Sequence, residues 1–230
     1  MNFSLLLINE YLSMIQNFGL TPELFLHSPW DYGNQVLYDL CRDNFLHVED
    51  DKIIAKVWLI GRAYAASIER GRKTESINDD FYIKDVAPIF RNSELDKMLL
   101  PLKDFNRITE ENLISVLQAH NYFVKLALAL TGLEKRSLGS KYLHFHLPDL
   151  FFIYDSRVVR AMRKIVKKVP ANLKYVLNSN NIDKEYAKYV CKCLYLKNYI
   201  SEHRGFYLSP RQLDRWLINQ SNTELSKPKH

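Results

Sequence analysis

The sequence predicts a mainly α-helical fold, and three observations point to it. Glycine is sparse, seven in 230 residues, so few positions suit the tight turns that connect strands. Apolar residues recur at spacings of three and four along most of the chain. Capping residues stand where these periodic runs begin and end. The length fits one compact domain, or two small lobes sharing a core. A hydrophobic content of 47% is that of a folded chain and excludes a disordered one. We expect a single helical domain over residues 1–218 and a frayed polar tail over 219–230.

The elements follow in order. Leu5, Ile8, Leu12 and Ile15 line one face of a helix over residues 3–18. Thr21-Pro22-Glu23 opens a short helix that ends before Pro29. Leu37, Leu40 and Cys41 mark a third helical piece. Residues 51–71 form the first strong helix, with Ile54, Val57, Trp58, Gly61, Ala65 and Ile68 at helical spacing. Arg70 and Gly71 supply its terminal cation and stop, and a polar loop covers 72–80. Trp58 and Tyr64 read as core residues, and Arg62 and Arg70 as ion-paired or exposed.

Residues 81–107 break into short helices. Thr109 then caps a long helix with Glu110 and Glu111 in its first turn, Leu113, Leu117, Val124 and Leu128 on its buried stripe, and Thr131-Gly132 at its end. A tight turn around Gly139 leads into a short helix over 140–147, stopped before Pro148. Phe151–Tyr154 is the one strand candidate, and reads equally as loop. Residues 156–169 form a two-faced helix: Val158, Met162, Ile165 and Val169 on one side, Arg157, Arg160, Lys164 and Lys168 on the other. Asp183 caps a tyrosine-rich helix over 183–203. Ser209-Pro210 starts the last helix, which turns Leu213, Trp216 and Leu217 inward.

Composition narrows the function classes. A formal net charge of +6 permits a phosphate-backbone partner, and the basic helix 156–169 concentrates that charge. Such a run is either a solvated face or a phosphate-facing surface. Three cysteines, Cys41, Cys191 and Cys193, are too few for a disulfide framework and fit a reducing cytoplasm. Cys191-Lys192-Cys193 lies in a helical stretch and packs as small apolar side chains. The N-terminal Leu5-Leu6-Leu7-Ile8 run is short and lacks a positive leader, and no run reaches membrane-spanning length, so we expect a soluble, cytoplasmic monomer.

The candidate site is Lys141 with Asp155, fourteen residues later. A lysine and a carboxylate at two helix starts can act as nucleophile and electrostatic partner. They also read as an exposed lysine and a helix cap. His144 and His146 point to different faces and bring no third ligand, so no metal or cofactor is expected. His144, three residues after Lys141, is placed in the same cleft.

Helix, turn with Gly139-Ser140-Lys141, second helix and loop with Ile153-Tyr154-Asp155-Ser156 together resemble the helix-hairpin-helix DNA glycosylases, in the branch of 8-oxoguanine DNA glycosylase. Leu59-Ile60-Gly61-Arg62-Ala63-Tyr64-Ala65-Ala66-Ser67, Ser140-Lys141-Tyr142-Leu143-His144-Phe145-His146 and Ser209-Pro210-Arg211-Gln212-Leu213-Asp214 are similar to small bacterial members, some of them in antiphage defence islands. The resemblance implies two helical lobes around a basic cleft, with the hairpin near 132–147. It implies DNA as partner, with a flipped base, and excision of a damaged purine such as 8-oxoguanine through a Schiff base on Lys141. Asp155 would stabilise charge on the sugar. Ser137, Gly139, Ser140, Arg157, Arg160 and Lys164 would hold the DNA. Ser137 stands where the hairpin's first glycine is usual, and the lysine-to-aspartate interval is shorter than in better-known members. The rival expectations are a non-catalytic nucleic-acid-binding module of the same fold, and glycosylase-type chemistry outside DNA repair.

Overall fold

The computed structural model describes residues 28–70, 78–205 and 207–225. Its regular structure is helical, with no strand among the described residues. The helices expected over 3–18 and after Thr21 lie outside these residues, as does most of the 72–80 loop. The chain runs through α1 (Asp31–Asp43), α2 (Asp50–Ala63) and α3 (Asn78–Phe81), then a π-helical segment (Tyr82–Val86). Next come α4 (Ala87–Arg91), α5 (Leu95–Leu99), a 3-10 turn (Leu100–Leu102), α6 (Glu110–Thr131), α7 (Arg136–His146) and α8 (Ser156–Ile165). A second 3-10 segment (Ala171–Asn178), α9 (Lys184–Arg204) and α10 (Pro210–Leu225) complete it.

The fold is organised around α7. Every residue from Leu138 to His146 is buried, which no amphipathic surface helix could be. α1, α2 and α6 pack against it, and one apolar core runs from Leu37 on α1 to Leu217 on α10. A buried helix must find partners for its polar side chains. The Tyr142 hydroxyl meets His47 Nε2 at 2.6 Å, and the His47 Nδ1–H donates to Asp96 at 2.5 Å. The Ser140 hydroxyl donates to the Ser137 carbonyl and accepts the Tyr154 N–H at 2.8 Å.

Where α2 ends differs from the expectation. The helix stops at Ala63, eight residues before Gly71, because Ala65 takes φ 49°. The Ala66 N–H then reaches the Gly61 carbonyl at 2.8 Å, and the Ala65 N–H the Arg62 carbonyl at 3.3 Å. This pair of bonds is a Schellman closure with alanine where glycine is usual. A Cβ on Gly61 would meet Ser67 Cα at 3.1 Å, so the chain folds straight back on its own helix. Trp58, expected in the core, is 44% exposed, while Tyr64 packs against it.

Other ends follow their signals. The Asn112 side chain accepts the Thr109 N–H at 2.9 Å, and Gly132 closes α6 at φ 71°. Leu128, placed on the buried stripe, is instead 41% exposed. By length and composition α6 is apolar enough to cross a membrane, contrary to the sequence expectation; Leu113, Val116, Leu117, Phe123, Val124 and Ala127 are buried. Asp183 Oδ1 accepts the Glu185 and Tyr186 N–H groups, capping α9. Ser209 and Gln212 form a reciprocal capping box at α10. α10 continues past Asn219 to Leu225 with Ser221 buried, so the frayed tail does not begin at 219. Asp31 and Arg215 form an ion pair that ties α1 to α10.

The segment Phe151–Tyr154 is a buried loop. Its carbonyls are taken by side chains rather than by a neighbouring strand: Phe151 O by His144 Nδ1 at 2.9 Å, Phe152 O by Tyr186 at 2.8 Å, and Ile153 O by Tyr189 at 2.9 Å. These bonds satisfy a buried backbone without a sheet, and they fix the loop that delivers Asp155.

Candidate functional site

The tight turn expected around Gly139 is absent. The turn between α6 and α7 lies five residues earlier, after Gly132, and Gly139-Ser140-Lys141 are inside α7. The Gly139 N–H is spent on the Lys135 carbonyl at 2.8 Å. A Cβ at Gly139 would stand 2.9 Å from the Phe123 ring, so the glycine serves the close approach of α7 to α6. Gly139 and Ser140 are buried, and neither can offer a backbone N–H to a phosphate. That corrects their expected role as DNA contacts. His144 is corrected too. It is fully buried, its Nδ1–H donating to Phe151 O and its Nε2 accepting from the Tyr38 hydroxyl at 2.7 Å. Burial pushes it down to about 3, so it stays neutral and serves packing.

Lys141 and Asp155 do come together. Lys141 is 3% exposed and lines an open cleft of about 910 Å³. Its Nζ donates to Ser137 Oγ at 2.8 Å, one helical turn back, and to the Tyr64 carbonyl at 3.4 Å. That carbonyl faces Lys141 where the left-handed Ala65 turns the chain. Asp155 Oδ2 stands 3.5 Å from the amine. Its other oxygen, Oδ1, caps α8 by accepting the Arg157 N–H at 2.9 Å. Cap and charge partner are thus one residue, each role using a different oxygen.

The electrostatics of the pair follow from this geometry. Burial lowers Lys141 from the ordinary lysine value, and the Asp155 charge pulls it part of the way back. Burial alone would raise Asp155. The Arg157 N–H bond and the charges of Lys141 and Arg157 outweigh it, so the carboxyl lies below its ordinary value. A third residue completes the electrostatics. Asp214 on α10 is 3% exposed, and burial raises it to about 6 against the charges of Arg211 and Lys141. Its Oδ2 pairs with Arg211 at 3.3 Å, while Oδ1 has no partner among the described residues. Arg211 and Lys141 lie over the same Tyr64 ring, at 5.7 and 5.8 Å. Asp214 does not line the cleft, so it acts on the Lys141 amine only through its charge.

Both walls of the cleft are cationic. Arg70, Lys135 and Arg136 stand on one side; Arg157, Arg160, Arg163 and Lys164 on the other, all four exposed. Arg136 is partly neutralised by Asp183 at 2.5 Å and Glu134 at 2.9 Å, whereas Lys135 donates to the carbonyls of Ser67 and Arg70 and keeps its charge. Arg62 pairs with Glu69 at 2.5 Å and does not line the cleft. Among the described residues no cluster of three or more histidine, cysteine, aspartate or glutamate side chains could hold a metal. Cys191 and Cys193 are buried free thiols on α9.

So the expected pair converges with Ser137, Arg157, Arg160 and Lys164 around it, while Gly139, Ser140 and His144 turn away. The sequence reading missed Asp214, the Tyr64 carbonyl, and the wall of Arg70, Lys135 and Arg136. Arg211 and Asp214 three residues apart on an apolar helix were the available signal for Asp214. Comparison of the chain with protein-family models, curated proteins and solved structures gave no match.

Proposed function

We propose that the cleft is the active site of a DNA glycosylase with lyase activity, acting on a damaged purine such as 8-oxoguanine. The observation that carries the reading is the convergence of a buried lysine amine and an ionised carboxylate, 3.5 Å apart, in the lining of a cationic cleft. A glycosylase has to receive a nucleotide flipped from the stack. Its phosphates meet Arg157, Arg160 and Lys164, and C1′ of the sugar approaches Lys141. As the free amine, Nζ bonds to C1′ while the glycosidic bond breaks and its electron pair leaves with the base, which takes up a proton. Asp155 stabilises positive charge developing on the sugar. Loss of the amine proton and opening of the ring give the Schiff base. Removal of a proton from C2′ then expels the 3′ phosphate. Desolvation of Lys141 favours the neutral amine this sequence needs.

In this reading α6, the turn after Gly132 and α7 are the counterpart of the helix-hairpin-helix, with the lysine on the second turn of its second helix. The displaced turn favours one rival. With Gly139 buried, the usual phosphate-holding glycine backbone is missing, so a module that binds DNA through the cationic walls without chemistry is the alternative.

Borohydride trapping separates the two. Duplexes carrying 8-oxoguanine or an abasic site are incubated with the protein and reduced. A covalent adduct that disappears in Lys141→Gln supports the enzyme. Binding with no adduct on any lesion refutes it in favour of the module.

A further inference from the structure

A second groove, of about 740 Å³, opens on the other side of Tyr154. It lies between the end of α8, the Ala171–Asn178 segment and α9, and shares Tyr154, Val159 and Arg163 with the Lys141 cleft. Its rim is unusually one-signed. Arg163, Lys167, Lys168, Lys174, Lys188 and Lys192 surround a single carboxylate, Glu185. Glu185 is already engaged, with Lys188 at 2.6 Å and Arg163 at 4.0 Å. Lys192 donates to the Lys167 carbonyl at 3.1 Å. Lys167, Lys168 and Lys174 are exposed and have no carboxylate partner among the described residues.

Six cations around one carboxylate repel one another, and the folded chain tolerates that cost only at the surface. The cations line an open trough and do not close over one point, so they suit a polyanion whose charges recur along a line better than a small anion. Lysine, a compact charge on a flexible stem, holds phosphates without demanding one orientation. The trough and the cleft share Tyr154, Val159 and Arg163 in their walls, so one polyanion running past Tyr154 can occupy both.

Resting on the reading of the cleft as a DNA site, we propose that DNA leaving the Lys141 cleft passes Tyr154 and continues into this groove. There Lys167, Lys168 and Lys174 neutralise phosphates flanking the flipped nucleotide. The groove sets how much duplex beside the lesion the protein requires. The basic character of 156–169 is thereby divided: Arg157, Arg160 and Lys164 serve the cleft, and the lysines after the helix serve the arm.

The test is the salt dependence of binding to a duplex with an abasic-site analogue and long arms, for the protein and for the triple variant Lys167→Gln, Lys168→Gln, Lys174→Gln. Loss of three phosphate contacts flattens the slope of log K against log salt by about 2.7. On a duplex trimmed until its arms no longer reach the groove, the two slopes coincide and borohydride adducts form equally. Equal slopes on the long duplex overturn the groove while binding and trapping leave the cleft reading intact. Failure of the unvaried protein to bind either duplex overturns the cleft reading, and the groove with it.

Discussion

Replacing Asp155 by asparagine separates the two roles its carboxylate holds. Asparagine is as good a helix cap as aspartate, so α8 keeps its start and only the charge is lost. At 3.5 Å, and at the effective dielectric of about 20 suited to groups near a surface, the Lys141–Asp155 attraction is about 5 kcal/mol before the opening solvent reduces it. A carboxylate this close shifts a neighbour by about 1–3 pH units, or about 1.4–4 kcal/mol. Asp155 favours the ammonium, so its loss lowers Lys141 beyond what burial has done. Schiff base formation on a ready-made abasic aldehyde needs the neutral amine and no base departure. Its rate rises with pH through the Lys141 titration, and in Asp155→Asn that rise moves towards acid. Excision of the damaged base depends on charge stabilisation at the sugar and falls by about 10²–10³. Borohydride trapping across a pH series on abasic and base-containing duplexes reads both. An unmoved pH limb on the abasic duplex would show that Asp155 does not act on the Lys141 amine. Equal losses on both duplexes would remove its separate role at the sugar.

Asp214 makes stability depend on pH. It is raised from 3.8 to about 6, so between those values the folded chain holds a proton that the unfolded chain has released. Its contribution is full below about pH 4 and declines as pH rises through 6, by about 3 kcal/mol in all. Denaturant melts from pH 4 to 7 should show this decline in the native protein and not in Asp214→Asn; parallel profiles would refute the assignment. At Gly139, alanine places a Cβ against the Phe123 ring and costs about 1–3 kcal/mol, against roughly 1 kcal/mol gained in helix propensity. Phe123→Leu on that background should recover part of the loss in denaturant midpoint. A Gly139→Ala stabilised by the full helix-propensity gain of about 1 kcal/mol would mean that the glycine does not serve the contact between α6 and α7.

The local signals of the sequence were its most legible part. Asp183, Ser209-Pro210 and Gly132 each carry their own reason to start or stop a helix, in bonds to residues two to four positions away. Those bonds form whatever surrounds them, so sequence suffices to place them. The failures have the opposite character. Ala65 adopts a left-handed conformation no alanine prefers, because Gly61 lets the chain fold back against Ser67. Leu128 and Trp58 sit at helical spacing yet face outward, because which side of a helix is buried depends on which neighbours arrive. Asp214 lies 73 residues from Lys141 in the chain, and nothing local links them.

Glycine before lysine reads as a turn when only the neighbours in sequence are counted. The phenylalanine one helix away decides that it is a contact instead, because space at Gly139 is set by Phe123 and not by backbone preference. By itself the sequence determined that the chain is helical, where several helices begin, and that Asp155 stands at a helix start; Lys141, read as a helix-start lysine, lies inside α7. Tertiary structure alone decided that α7 is buried on every side. An ordinary surface lysine thereby becomes a desolvated amine held by Ser137, Tyr64 and Asp155. Burial depends on what packs around a residue, and the helices packed on α7 (α1, α2 and α6) come from widely separated parts of the described chain.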